Sequence, residues 1–148
     1  MTTVRQATAH DLEALVPLFD AYRQFYGQSS GTELARRFLA ERFARHESVV
    51  FLALSGTGAA IGFTQLYPMF SSVSAGRTYI VNDLYVVPES RRTGVASLLL
   101  REAEGFARAA GALRLSLSTA HTNHSAQKLY ESLGWKLDEK FRWYSLAC

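Results

Sequence analysis

Cysteine is nearly absent from this chain of 148 residues: there is one, Cys148. No intramolecular disulfide can form, and no zinc cluster can be built from thiolates. The expected compartment is a reducing cytoplasm. Long apolar runs are missing as well. The longest, Val49–Leu54, has six residues, whereas a membrane span needs about 20, so no membrane partner is expected. The opening Met1-Thr-Thr-Val-Arg5 carries no apolar signal core. No Lys/Arg run exceeds two residues, at Arg36-Arg37 and Arg91-Arg92. A nucleic-acid binder would need a continuous basic face, so that class is not expected. Neither G-x-x-x-x-G-K-S/T nor G-x-G-x-x-G occurs, and kinase, GTPase and dinucleotide dehydrogenase readings lose their main support. Repeats, low-complexity tracts and Pro/Gly/Ser linkers are absent too.

What remains is an ordinary globular composition, 48% hydrophobic and 20% charged with a net charge of +3, which suits an anionic ligand weakly. The length predicts one domain, residues 1–148. Thr8-Ala-His-Asp11 has the form of a capping box and introduces a helix over Ala9–Phe25, with Leu12, Leu15, Val16 and Phe19 on its apolar face. A second helix is predicted over Thr32–Arg45, with Leu34, Phe38 and Leu39 inward. Val49–Leu54 and Ala60–Tyr67 read as a hairpin about Gly56-Thr-Gly58. Tyr67–Gly76 reads as a loop, and Tyr79–Val87 as a central strand stopped by Pro88. Gly94–Ala110 is a helix with Val95, Leu98, Leu99, Ala103 and Phe106 on one stripe. Leu113–Ser118 is a strand, Asn123–Leu133 a helix closed by Gly134, and Trp135–Leu146 one or two final strands. The order β α α β β β α β α β predicts an α/β (α+β) layered fold with a mixed, mostly antiparallel central sheet flanked by helices.

Two stretches carry chemistry. In Pro88-Glu-Ser-Arg91-Arg92-Thr93-Gly94-Val95-Ala96-Ser97 a strand runs through a short basic loop into a helix. A helix start presents unpaired N–H groups and about half a positive charge, and small residues let a ligand approach the backbone. That is a cradle for phosphate or pyrophosphate, although an ordinary strand–helix connection with a solvated Arg pair reads the same way. In the second stretch Asn123 occupies a helix N-cap position and Tyr130 follows seven residues later. Seven residues turn a helix by about 700° and raise it by about 10.5 Å, so both side chains share one face. Alone, Asn123 is a cap and Tyr130 a core ring.

Taken together, Val81–Trp135 resembles the GNAT superfamily of N-acetyltransferases. The family's acetyl-CoA loop, Q/R-x-x-G-x-G/A, is matched by Arg91-Arg-Thr-Gly94-Val-Ala96. Its later signature, N-x-x-A-x-x-L/F-Y-x-x-x-G-F/W, is matched by Asn123, Ala126, Leu129, Tyr130, Gly134 and Trp135. The resemblance implies a single-domain acyl-CoA N-acyltransferase fold with acetyl-CoA as donor. The backbone of Leu84, Tyr85 and Val86 would pair with the pantetheine arm, and the amides of Arg92–Ser97 would hold the pyrophosphate. Asn123 would contact the cofactor arm, and Tyr130 would protonate the departing thiolate. Arg92 stands where many members have glycine, which is tolerable unless its φ must be positive.

A narrower resemblance, over Tyr67–Ser72 and Gly76–Val86, is to the diamine/polyamine and thialysine acetyltransferase branch. That branch has an acidic pair where this chain has Asn82-Asp83. It implies that Asn82 and Asp83 meet a cationic amine, with Asp83 assisting deprotonation. The alternative for Asp83 is a strand-end carboxylate paired with an arginine such as Arg77. Phe25, Tyr26, Tyr67 and Phe70, at element exits, are candidate walls for the acceptor. His121 and His124 lack further ligands at metal spacing, and no metal is expected. The expected activity is acetyl transfer to a primary amine of a small molecule, directly within a ternary complex. A protein or peptide amine acetyltransferase and a noncatalytic acyl-CoA-binding module are the alternatives. The aromatic residues Phe141, Trp143 and Tyr144 lead us to expect a homodimer.

Overall fold

The computed structural model describes residues 1–148. In order, the elements are β1 (Thr3–Gln6), α1 (Leu12–Phe25), α2 (Thr32–Ala44), β2 (Val49–Leu54), β3 (Ala60–Ser71), β4 (Gly76–Val86), α3 (Val95–Ala109), β5 (Leu115–Ser116) and α4 (His124–Ser132). Met1–Ser118 makes one compact unit and Thr119–Cys148 another.

The first unit is built on one five-stranded sheet in the order β1-β2-β3-β4-β5. The first four strands are antiparallel neighbours, and β5 joins β4 in parallel, which requires the long α3 crossover. Strand β2 shows why helices lie on both faces. Val50 and Leu52 pack with Leu15, Val16, Phe19 and Leu39 of α1 and α2. The alternate residue Phe51 meets Phe106 of α3, with ring centres 5.8 Å apart. A strand that is apolar on both sides is stable only when both are covered. Helix α1 begins as predicted: the Thr8 hydroxyl accepts from His10 N–H, and Asp11 accepts from Thr8 N–H at 2.9 Å. One 3-10 turn, Ala9–Asp11, precedes the α-helix proper.

The structure corrects several expectations. The loop expected over Tyr67–Gly76 shrinks to a turn at residues 72–75; β3 extends to Ser71 and β4 begins at Gly76, pairing Pro68 with Tyr79 and Phe70 with Arg77. Proline is tolerated there because β2 reaches only as far as Leu66, so Pro68 lacks no ladder donor on that side. Leu34 and Leu98 are largely exposed, and Ala35, Leu100 and Ala107 are buried in their helices instead. The predicted Leu113–Ser118 strand shortens to Leu115–Ser116.

In the second unit, α4 runs from the Asn123 N-cap to Gly134, which has a positive φ of 92°. The expected strands over Trp135–Leu146 do not form. High β propensity becomes a strand only against a partner edge, and Leu137, Phe141, Trp143, Tyr144 and Leu146 are all exposed.

Candidate active site

The pairing of β4 with β5 is confined to Tyr79 and Ile80. Past Ile80, β4 is a strand partner of β3 alone, so Val81–Val86 is an edge that another extended chain can join. Leu84, Tyr85 and Val86 lie on this edge. The Val86 carbonyl accepts from Arg91 Nε at 2.9 Å, and the Arg91 guanidinium lies 5.6 Å from the Tyr85 ring and 5.7 Å from that of Phe25. Arg91 therefore braces the loop against the strand, while its charge stays beside the helix start.

After a 3-10 turn at Pro88–Ser90, the Thr93 hydroxyl donates to the Ser90 carbonyl at 2.6 Å. Two successive left-handed features follow, Arg92 at φ 61° and Gly94 at φ 87°. The φ at Arg92 is the condition under which a non-glycine residue is strained there, and it costs about 1–2 kcal/mol. Gly94 is the N-cap of α3 and has no side-chain cap. A Cβ built on Gly94 meets nothing within 4 Å. The amides of Val95, Ala96 and Ser97 form the first turn of a fifteen-residue helix, and their N–H groups lack helical partners.

Asp83 sits on the same edge strand. The register runs Gln65↔Asp83 and then Leu66↔Val81, so Asn82 is an extra, unpaired residue on β4. Such a bulge re-aims the neighbouring side chains. The carbonyl of Asn82 accepts from the Tyr22 hydroxyl of α1 at 3.2 Å. The Asp83 side chain is turned inward and is 3% exposed. It accepts from Gln65 Nε2 at 2.5 Å and from Asn82 Nδ2 at 2.7 Å. Arg77 does not pair with it; that guanidinium stacks on Phe70 and Tyr79. Burial pushes the Asp83 carboxyl above its ordinary range, and hydrogen bonds from Gln65, Asn82 and Tyr22 only partly offset this. Tyr22 and Tyr67 are held firmly protonated, first by burial and then by the Asp83 charge.

The aromatic candidates are divided among different places. Tyr67 reaches the cluster through Gln65 Nε2, at 3.1 Å from its hydroxyl. Tyr26 packs on Tyr22 at 5.1 Å while remaining mostly exposed. Phe70 lies five residues along β3 from Gln65, roughly 16 Å away by strand rise. A groove of about 600 Å³ is bounded by Phe38, Arg42, His46, Glu47, Tyr67 and Pro68. The sequence reading missed Gln65 and Tyr22. Thr64-Gln65, a polar pair inside an otherwise apolar strand, was the available signal.

In the second unit, Asn123 Oδ1 accepts from Ala126 N–H at 3.2 Å, the bond of a helix cap. The Tyr130 ring lies 6.2 Å from that of Trp135. His121 and His124 are exposed.

Comparison with known proteins identifies the family. The model of the Acetyltransferase (GNAT) family matches residues 15–135. The chain is 48% identical over 143 residues to the uncharacterized N-acetyltransferase YhfO of Bacillus subtilis (strain 168), covering 97% of this chain and 95% of that one. It is 34% identical to a probable acetyltransferase of Haemophilus influenzae, covering 96% and 95% of the two chains. A solved structure of a probable acetyltransferase superposes with a TM-score of 0.94 at 46% identity, covering 99% and 97%. The chain belongs to the GNAT family and is an acetyltransferase. The family uses acetyl-CoA, and the residues present fit that donor. The open β4 edge, the uncapped α3 start and the open space over Gly94 would offer it strand, anion and close-approach contacts respectively.

Proposed function

We propose that this acetyltransferase acetylates a primary amine of a small molecule by direct attack within a ternary complex. The observation that carries the reading is Asp83, a buried carboxylate with no arginine or lysine partner. Its counter-charge is left to a ligand, and an ammonium group fits. The branch reading is supported by an 81-residue match, 32% identical, to the thialysine N-epsilon-acetyltransferase of Sus scrofa, covering 54% of this chain and 48% of that one.

Acetyl-CoA supplies an acyl carbon activated by its thioester bond. Leu84–Val86 and Arg91–Ser97 would hold its pantetheine and pyrophosphate, and the family resemblance assigns Asn123 and Ala126 to the arm. Asn82, Tyr26 and Tyr67 would border the amine; Phe70, five residues along β3 from Gln65, would not. Asp83 takes the proton that the ammonium must lose before nitrogen can attack, and burial raises its proton affinity toward that task. A strand amide near Leu84–Tyr85 donates to the carbonyl oxygen as negative charge gathers there. Nitrogen attacks the thioester carbon directly, so no covalent acyl-enzyme is needed; as the C–S bond breaks, Tyr130 would give its phenolic proton to sulfur, and the second proton on nitrogen returns to the phenolate. The reading also includes a homodimer, supported by the exposed Phe141, Trp143 and Tyr144, and a reducing cytoplasm, supported by the single cysteine.

The kcat–pH profile of Asp83→Asn with n-butylamine as acceptor tests the base. Loss of the acidic limb supports Asp83, and an unchanged limb removes it from the mechanism.

A further inference from the structure

Gln65 has no exposed surface and lies in the middle of β3, opposite Asp83. Both N–H groups of its amide are committed, one to Asp83 Oδ2 and one to the Tyr67 hydroxyl. Its carbonyl oxygen Oε1 is buried without a partner. An apolar residue of similar size would fill this place without leaving an orphan acceptor, so the packing alone gives no reason for an amide. Turning the amide over would set Oε1 against a carboxylate oxygen, and the observed orientation is therefore locked. Buried carboxylates tend to neutralise unless hydrogen-bond donors hold the charge. The groups facing Asp83 include no cation in direct contact. Tyr22 faces it from α1 and Tyr67 from β3, and Arg42 of α2 acts on Tyr67 rather than on Asp83.

We infer that Gln65 is a positioning residue for acetyl transfer: its amide, held by the Tyr67 hydroxyl, donates to the Asp83 carboxylate and aims it across the β3–β4 pair. The inference rests on the reading of Asp83 as the base. It assigns to Gln65 no contact with either substrate. Its action is through the proton affinity of Asp83, while Tyr67 fixes the amide from the far side. The bulge at Asn82 brings the two side chains together, because it ends the regular alternation of β4 just before Asp83.

The test is selective ¹³Cγ-aspartate labelling of the full chain, with the Asp83 resonance assigned by its loss in Asp83→Asn. In Gln65→Met the titration midpoint of Asp83 should rise by about one to two pH units, the size expected for losing a hydrogen bond to a charge. The acidic limb of kcat with n-butylamine should rise equally, and KM for acetyl-CoA should stay unchanged. Gln65→Glu keeps the volume and serves if Gln65→Met does not fold. It puts a second carboxylate beside Asp83 and should also raise the midpoint. A folded variant of either kind in which Asp83 titrates as in the wild type overturns the role of Gln65. A midpoint that moves while the kcat limb stays fixed overturns Asp83 as the base, and with it the inference.

Discussion

Gln65 donates to Asp83 Oδ2 at 2.5 Å across the β3–β4 pair, next to the point where Asn82 bulges out of β4. This bond joins two side chains that solvent barely reaches, and no cation completes the set. The charge on Asp83 is therefore held for chemistry at some cost to folding. Because burial raises the folded-state value above the ordinary 3.8, the native protein binds more protons than the unfolded chain above that pH. Stability should fall as pH rises from 3.8 through the raised value. Urea titrations of wild type and Asp83→Asn should diverge over this window, with the variant gaining relative stability toward neutral pH. Parallel curves would show that Asp83 titrates normally. The same substitution should impair turnover of a cationic amine and leave acetyl-CoA affinity nearly intact.

At the other end of the sheet, Asp11 shows the opposite sign. The Arg5 guanidinium, at 2.7 Å, holds its carboxyl down to about 2, with help from the Thr8 amide. Stability from this pair is complete above the ordinary 3.8 and is lost as pH falls through about 2. Arg5 is half exposed, so the contribution is about 1 kcal/mol after screening. Asp11→Asn should lower the urea midpoint at pH 7 and have little effect at pH 2. An equal loss at both would assign the effect to the cap geometry instead of the charge.

Arg92 occupies a left-handed conformation at φ 61°, which glycine adopts without strain. Arg92→Gly should stabilise the fold by up to about 1 kcal/mol, the relief exceeding the added chain entropy, whereas Arg92→Ala should not. Thermal denaturation of the two variants decides this, and equal melting temperatures would mean the loop relaxes.

At Gly94, φ is 87° and the space above the backbone is open. An arginine there is strained and covers the amides that begin α3. Acetyl-CoA at 100 times its Kd should stabilise the wild type by about 2.7 kcal/mol. Gly94→Arg should lose that gain, while Arg91→Ala should only weaken it. A full melting shift in Gly94→Arg would move the pyrophosphate away from this turn.

The two family signatures were legible because their chemistry is local. A strand–loop–helix junction fixes the amides of Val95–Ser97, and a helix cap fixes Asn123 relative to Tyr130. The β2–β3 hairpin and the mixed, mostly antiparallel sheet also followed from periodicity and turn residues. Gln65 and Tyr22 did not, because their roles depend on a bulge that shifts the register by one residue, and no window of a single strand reveals that. The aromatic tail was read as strand from its propensity. Propensity records what fits a sheet, and the tail residues lie exposed without a strand partner.

Tyr130→Phe removes one hydroxyl and keeps the ring. If Tyr130 protonates the leaving sulfur, kcat should fall by about 10²-fold with KM for acetyl-CoA nearly constant. A kcat within twofold of wild type at an unchanged melting temperature would leave the proton to water.

The central claim is that the chain moves an acetyl group from acetyl-CoA to a small primary amine. Incubation with acetyl-CoA and a panel of small amines and peptides, reading free thiol and the mass of each acceptor, tests it directly. The account predicts thiol release matched one for one by acetylation of at least one small amine, and both reduced together in Asp83→Asn. Acetylation of peptides alone, or acetyl-CoA binding without thiol release from any acceptor, would contradict it.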